Sequence, residues 1–157
     1  KWCTIDIFPN NNPFRIKITG RTKSYINTFG EELIIDNTDT ALLETCNFLK
    51  YEVKNYTVAP IFIDDKSGGH QWLIEFGRPP SDILLFTTKL DKNLKQLNSD
   101  YAAKRSNNLI ISMPEIVCLE KGAFYKWLLK NNRLGGQFKI PRLSNTRKIA
   151  DEILAFQ

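Results

Sequence analysis

The sequence predicts an α+β domain in which helices pack on a mixed or antiparallel sheet. Three observations lead there. Residues 56–63 and 71–76 are rich in β-branched and aromatic side chains, with turn-forming residues between them. Two other stretches repeat apolar residues at helical spacing, Ala41, Leu42, Thr45, Cys46, Leu49 and Ile83, Phe86, Leu90, Leu94, Leu97. Strands and helices follow one another in mixed order, without the regular alternation of a parallel doubly wound sheet. With 157 residues and 42% apolar content, the chain can bury one core of its own and is too short for two full-sized domains.

The elements follow in order. Residues 1–8 read as the middle of a strand and do not begin with methionine, so a piece of a larger protein is expected. Residues 14–19 alternate apolar and basic side chains, as a half-exposed strand does, and run into a turn at Gly20, Arg21, Thr22 and Lys23. Residues 25–27 and 31–35 form a second extended pair around Phe29 and Gly30. Asp36 or Asn37 is the expected cap of a helix running to about Lys50. Asp64, Asp65, Lys66, Ser67, Gly68 and Gly69 make the turn of a hairpin. Pro79, Pro80, Ser81 and Asp82 end its second strand and cap the helix that carries Ile83 to Leu97. A short helix over 100–105, a strand over 115–119 and helices over 122–132 and 146–155 complete the pattern.

The formal net charge of +5 is unevenly distributed. Residues 1–120 hold 14 basic and 15 acidic side chains, whereas residues 121–148 hold eight Lys or Arg and no Asp or Glu. A basic segment on a near-neutral body suits a focused anion site better than a stripe along nucleic acid. Within it, Gly135 and Gly136 permit a bend, Pro141 stiffens the exit, and Lys139 lies between them; a helix cap and turn would look the same. Lys139 is the candidate for contact with a nucleotide phosphate.

Cys3, Cys46 and Cys118 are odd in number and widely spaced, which points to neither a disulfide framework nor a metal site and suggests a reducing cytoplasm. No apolar run reaches the roughly 18 residues of a membrane span. His70, the single histidine, sits at a strand start, where a structural or solvent-exposed role is expected ahead of general-base chemistry. Trp72, Phe76, Phe124, Tyr125 and Trp127 are expected in the core or at an interface. Asp100, Lys104 and Arg105, one helical turn apart, are expected to form a local ion pair.

Four motifs then stand in a fixed order. They are Gly20 and Arg21 leading into INTFGEEL at 26–33, HQWLIEF at 70–76, NSDYAAKR at 98–105, and GGQFKIPRLSN at 135–145. Together they resemble the C-terminal domain of the auxin-responsive, or Gretchen Hagen, acyl-acid amido synthetases, within the adenylate-forming enzyme superfamily. The resemblance covers roughly residues 14–154. The family's phosphate loop and ribose-holding Asp, which lie in a large N-terminal domain, have no counterpart in this chain. The Gly-Asp pair of the family is also missing before the strand at 14–19.

The resemblance implies the small C-terminal domain of an enzyme that activates a carboxylic acid with ATP as an acyl adenylate and conjugates it to an amino acid. It divides the chain into 1–19, a strand segment leading from the large N-terminal domain; 20–22, a hinge of Gly20, Arg21 and Thr22; and 23–157, a mobile domain. Lys139 would be catalytic and, with Arg142 and Gln137, would touch ATP or the adenylate. Glu31 and Glu32 would face the nucleotide or the amine acceptor. ATP and Mg2+ would be held mainly by the N-terminal domain, so the 157 residues alone are expected to be inactive. The partners implied are that domain and the small acid and amine substrates, with no nucleic acid and no membrane. A module that keeps the fold without catalysis is the alternative. An RNA-binding α+β domain fits less well, since no Lys/Arg-Gly-Phe/Tyr-Gly/Ala-Phe run occurs.

Overall fold

The computed structural model describes residues 3–8, 15–21, 25–106, 110–133, 135 and 139–156. Strands β1 (Cys3–Phe8) and β2 (Arg15–Arg21) pair antiparallel. The expected turn at Gly20 and Arg21 is instead strand, because Gly20 pairs with Thr4 and Arg21 with Cys3. Thr19 is passed over between the Gly20 and Ile18 pairs, a bulge that bends the strand beside a glycine. Thr22 and Lys23 lie outside the described residues.

The short strands β3 (Tyr25–Ile26) and β4 (Leu33–Ile34) pair antiparallel around the loop 27–32 and lead directly into helix α1 (Ile35–Leu49). The helix starts before the expected cap. Asn37 serves it from the third helical position, its Oδ1 accepting the Ile34 N–H at 3.2 Å. Lys50 closes the helix in the left-handed region, φ 61°, and donates its N–H to Cys46 O.

The main sheet has the order β5-β6-β7, with β5 (Val53–Phe62) antiparallel to β6 (Gly68–Phe76) and β7 (Glu115–Leu119) parallel to β6. Asp64 closes the hairpin by accepting the N–H groups of Lys66 and Ser67. Gly68 and Gly69 belong to β6 and not to the turn. A Cβ on Gly68 would stand 2.0 Å from Ile61 O, so only glycine allows that close approach of the strands. Pro60 sits within β5, where the missing N–H is tolerated and its carbonyl accepts from Arg147 Nη1 at 3.0 Å.

Residue parity along β5 and β6 divides the core. Tyr56, Val58, Trp72, Ile74 and Phe76 pack with Ala41 and Leu42 of α1 and with Phe86, Leu90 and Leu94 of α2 (Ile83–Leu97). On the opposite face Ala59 and Leu73 pack with α4 (Ala123–Lys130) and α5 (Lys148–Leu154) through Phe124, Trp127, Ala150 and Ile153. The sheet therefore lies between two helical layers, and β6, covered on both faces, is buried along nearly its whole length, polar His70 and Gln71 included. Asp82 caps α2 by accepting Leu85 N–H at 2.8 Å. Asn93 ties α2 to α1 by donating to Thr45 Oγ1 at 3.0 Å and Ala41 O at 3.3 Å. Asn98 caps α3 (Ser99–Arg105) through Tyr101 N–H. Phe76, Trp72, Phe124 and Trp127 are buried as expected, but Tyr125 points outward on the free face of α4. No helix among the described residues is long and apolar enough to cross a membrane.

Candidate functional site

Loop 27–32 is held from three sides. Glu31 is fully buried; its Oε2 accepts the Phe29 N–H at 2.7 Å and its Oε1 accepts from His70 Nε2 at 2.8 Å. Burial pushes the Glu31 carboxyl up, but the His70 bond and charge and the Phe29 and Glu31 amides together hold it below its ordinary value. His70 is itself fully buried, so its role is structural and not at the solvent surface; its ring stacks on Tyr101 at 5.9 Å, and its Nδ1 has no hydrogen-bond partner among the described residues. Glu32, by contrast, is exposed, with φ 42°. Its N–H reaches Asn27 Oδ1 at 3.0 Å and its carbonyl accepts from Asn98 Nδ2 at 3.2 Å. Gly30, φ 80°, faces the Lys104 ammonium, which would lie 3.3 Å from a Cβ placed there.

Beneath the loop, α3 is fixed to α2 by a buried ionic cluster. Arg105 meets Asp91 in a two-pronged pair, Nε to Oδ1 at 2.7 Å and Nη2 to Oδ2 at 2.9 Å. Tyr101 OH donates to the same Oδ1 at 2.8 Å, and Lys95 approaches Oδ2 at 2.6 Å. Burial raises the Asp91 carboxyl, yet Arg105, Lys95 and Tyr101 outweigh it and bring it below its ordinary value. Burial beside that carboxylate pushes the Tyr101 phenol well up. The expected pairing of Arg105 with Asp100 is thus replaced by a partner on another helix. Asp91 and Asn93 went unrecognised in the sequence, although both interrupt the apolar face of α2, which was the available signal.

The basic segment ends in a strap along β5. Lys139 is exposed, whereas Ile140 enters the second core cluster. Pro141 O accepts from Thr57 Oγ1 at 2.7 Å, Arg142 O accepts the Val58 N–H at 2.9 Å, and Ser144 N–H reaches Val58 O at 3.0 Å. Leu143 thereby forms a parallel bridge with Val58. Arg142 Nη1 donates to Asn55 Oδ1 at 2.6 Å and to Tyr56 O at 3.3 Å, while its guanidinium lies 4.4 Å from the centre of the Tyr56 ring. Asn145 then reaches the β3–β4 unit, accepting from Asn27 N–H at 2.8 Å and donating to Tyr25 O at 2.9 Å.

The candidate residues thus fall on segments that touch. Glu31 and Glu32 lie on the loop, Lys139 and Arg142 on the strap, and Asn145 links the two. Glu31, with its carboxylate turned inward, is a structural anion, leaving Glu32 as the exposed member of the pair. Gly20 and Arg21 lie in β2, and Gln137 and Thr22 are outside the described residues. Among the described residues no group of three His, Cys, Asp or Glu side chains could hold a metal ion.

The architecture is that of a small α+β domain with a helix-covered mixed sheet and a strap bound to its edge strand. A family model described as the GH3 family C-terminal domain matches residues 36–148, and the chain belongs to that family. A search of curated proteins finds no match. Among solved structures, one described as GH3.15 acyl acid amido synthetase superposes with a TM-score of 0.74 at 19% identity, over 96% of this chain and 29% of that one. Another, AtGH3.15 acyl acid amido synthetase in complex with 2,4-DB, gives 0.68 at 16% identity, over 89% of this chain and 26% of that one. The fold is shared with both, and the chain spans less than a third of the length of either.

Proposed function

We propose that this chain is the mobile C-terminal domain of an acyl-acid amido synthetase. In this reading residues 1–19 lead in from a larger N-terminal domain, Gly20, Arg21 and Thr22 are the hinge, and residues 23–157 move. The carboxylate of a small acid attacks the α-phosphate of ATP, forming an acyl adenylate and releasing pyrophosphate. The amine of an amino acid then attacks the acyl carbon, giving an amide and AMP.

The first step brings a carboxylate against a polyphosphate, so a positioned cation lowers the barrier by meeting charge as it develops. Lys139 supplies that cation to the phosphates. The observation that carries this reading is an exposed lysine at the head of a strap whose next residues are anchored to β5. Gln137 and Arg142 are its proposed neighbours at the nucleotide. Arg142 commits Nη1 to Asn55 and Tyr56 and holds its Nε 4.0 Å from Asp39 Oδ1. Glu32 faces the acceptor side. Magnesium, which would share the charge neutralisation, is assigned with most ATP contacts to the N-terminal domain.

The test is carboxylate-dependent exchange of labelled pyrophosphate into ATP by the whole polypeptide, with and without Lys139→Ala. Removing one such electrostatic contact should lower exchange by about 10²-fold. Unchanged exchange in the variant would remove Lys139 from the chemistry and favour a module that keeps the fold without catalysis.

A further inference from the structure

Lys139 can act reproducibly only if its strap keeps a fixed position relative to the hinge. The bonds from Thr57, Val58, Asn55 and Tyr56 fasten the strap to β5. None of them reaches the chain that follows residues 20–22. Asn145 does. Its Oδ1 accepts from Asn27 N–H at 2.8 Å and from Thr28 Oγ1 at 3.4 Å, and its Nδ2 donates to Tyr25 O at 2.9 Å. Ser144 Oγ accepts the Thr146 N–H at 3.1 Å and donates to Thr146 O at 2.7 Å, folding the turn that presents Asn145. The side chain therefore spans about 120 residues of sequence, joining the stretch three residues after Thr22 to one six residues after Lys139.

Resting on the proposed function, we infer that Asn145 is a positioning residue that makes the Lys139 strap and the hinge-following segment 25–28 one rigid body. Rotation at the hinge then carries Lys139 without lag. An error of about 1 Å at a reacting centre is enough to cost on the order of 10²-fold in rate. The reading also accounts for the LSN end of the fourth sequence motif, which phosphate contact leaves unexplained.

The test uses the whole polypeptide and Asn145→Ala. Amide hydrogen exchange is followed at 25–28 and 139–144, and the two half-reactions are measured separately, as pyrophosphate exchange and as aminolysis of preformed acyl adenylate. Protection should fall in both segments together. Pyrophosphate exchange should lose about tenfold in kcat, by analogy with the geometric sensitivity above, with KM for the acid unchanged and a different factor for aminolysis. A merely structural role would lower both half-reactions by one common factor through loss of folded protein, and that result would overturn the inference, as would loosening confined to 25–28. If wild-type protein shows no exchange with any acid, the proposed function fails, and joint or separate loss of protection still decides the coupling.

Discussion

Asp91→Asn removes the charge that the α2–α3 corner is built around. The Asp91 and Arg105 side chains are 6% and 5% exposed, so the guanidinium would remain buried, still donating to Ile111 O at 3.0 Å but without its carboxylate. Removing one partner of a buried ion pair typically costs about 3–5 kcal/mol, because the other charge is left uncompensated. Lys95 softens this little, since it is 39% exposed and can turn to water. With a urea slope of about 2 kcal/mol per molar, the midpoint should fall by roughly 1.5–2.5 M. Tryptophan fluorescence reports the transition through the buried Trp72 and Trp127. The pH dependence has a definite sign. The Asp91 carboxyl is held below its ordinary value, so its contribution is fully present above about pH 4 and is lost as pH falls through the lowered folded value. Wild type should thus destabilise more steeply in acid than the Asn variant. A loss below about 1 kcal/mol, with identical acid limbs, would refute the assigned role of the pair.

Three further outcomes are expected. Gly68→Ala should cost about 3 kcal/mol or more in urea unfolding, because its Cβ would meet Ile61 O at 2.0 Å and Phe29 Cζ at 2.4 Å. Glu31→Ala should cost about 2–4 kcal/mol by stranding His70 Nε2 and the Phe29 N–H, and should flatten acid destabilisation; the lowered Glu31 carboxyl contributes above about pH 4 and loses that contribution as pH falls through its folded value. Lys139→Ala should leave stability within about 0.5 kcal/mol of wild type, since the side chain is exposed, so that any loss of exchange is chemical.

Much of this fold was legible because local chemistry and tertiary structure agree. The α2 periodicity and its Asp82 cap, the hairpin strands, and the end of α1 near Lys50 follow from side-chain period and turn residues. The parallel β6–β7 pairing was not legible, because nothing in residues 115–119 fixes strand direction. Gly68 and Gly69 look like turn residues in sequence, yet they serve strand contact at Ile61 and Ser112. At the site, the motifs were visible but their wiring was not. Glu31 was expected to face the nucleotide or the amine acceptor, and nothing near it in sequence announces His70, 39 residues away, as its buried partner. Arg105 looked paired within its own helix until α2 brought Asp91 to it. Such long-range pairs leave no periodic trace; their only sequence mark is a polar residue on an otherwise apolar face.

The central claim is that these 157 residues work as one part of an acid-activating, amide-forming enzyme. The most direct measurement compares the whole polypeptide with residues 1–157 alone, following AMP, pyrophosphate and amide formation by mass spectrometry with ATP, magnesium, an amino acid and a panel of aromatic and aliphatic acids. The account predicts acid-dependent AMP, pyrophosphate and amide from the whole protein and none from the 157-residue chain. Conjugation by the chain alone, or its absence from the whole protein with every acid, would contradict it.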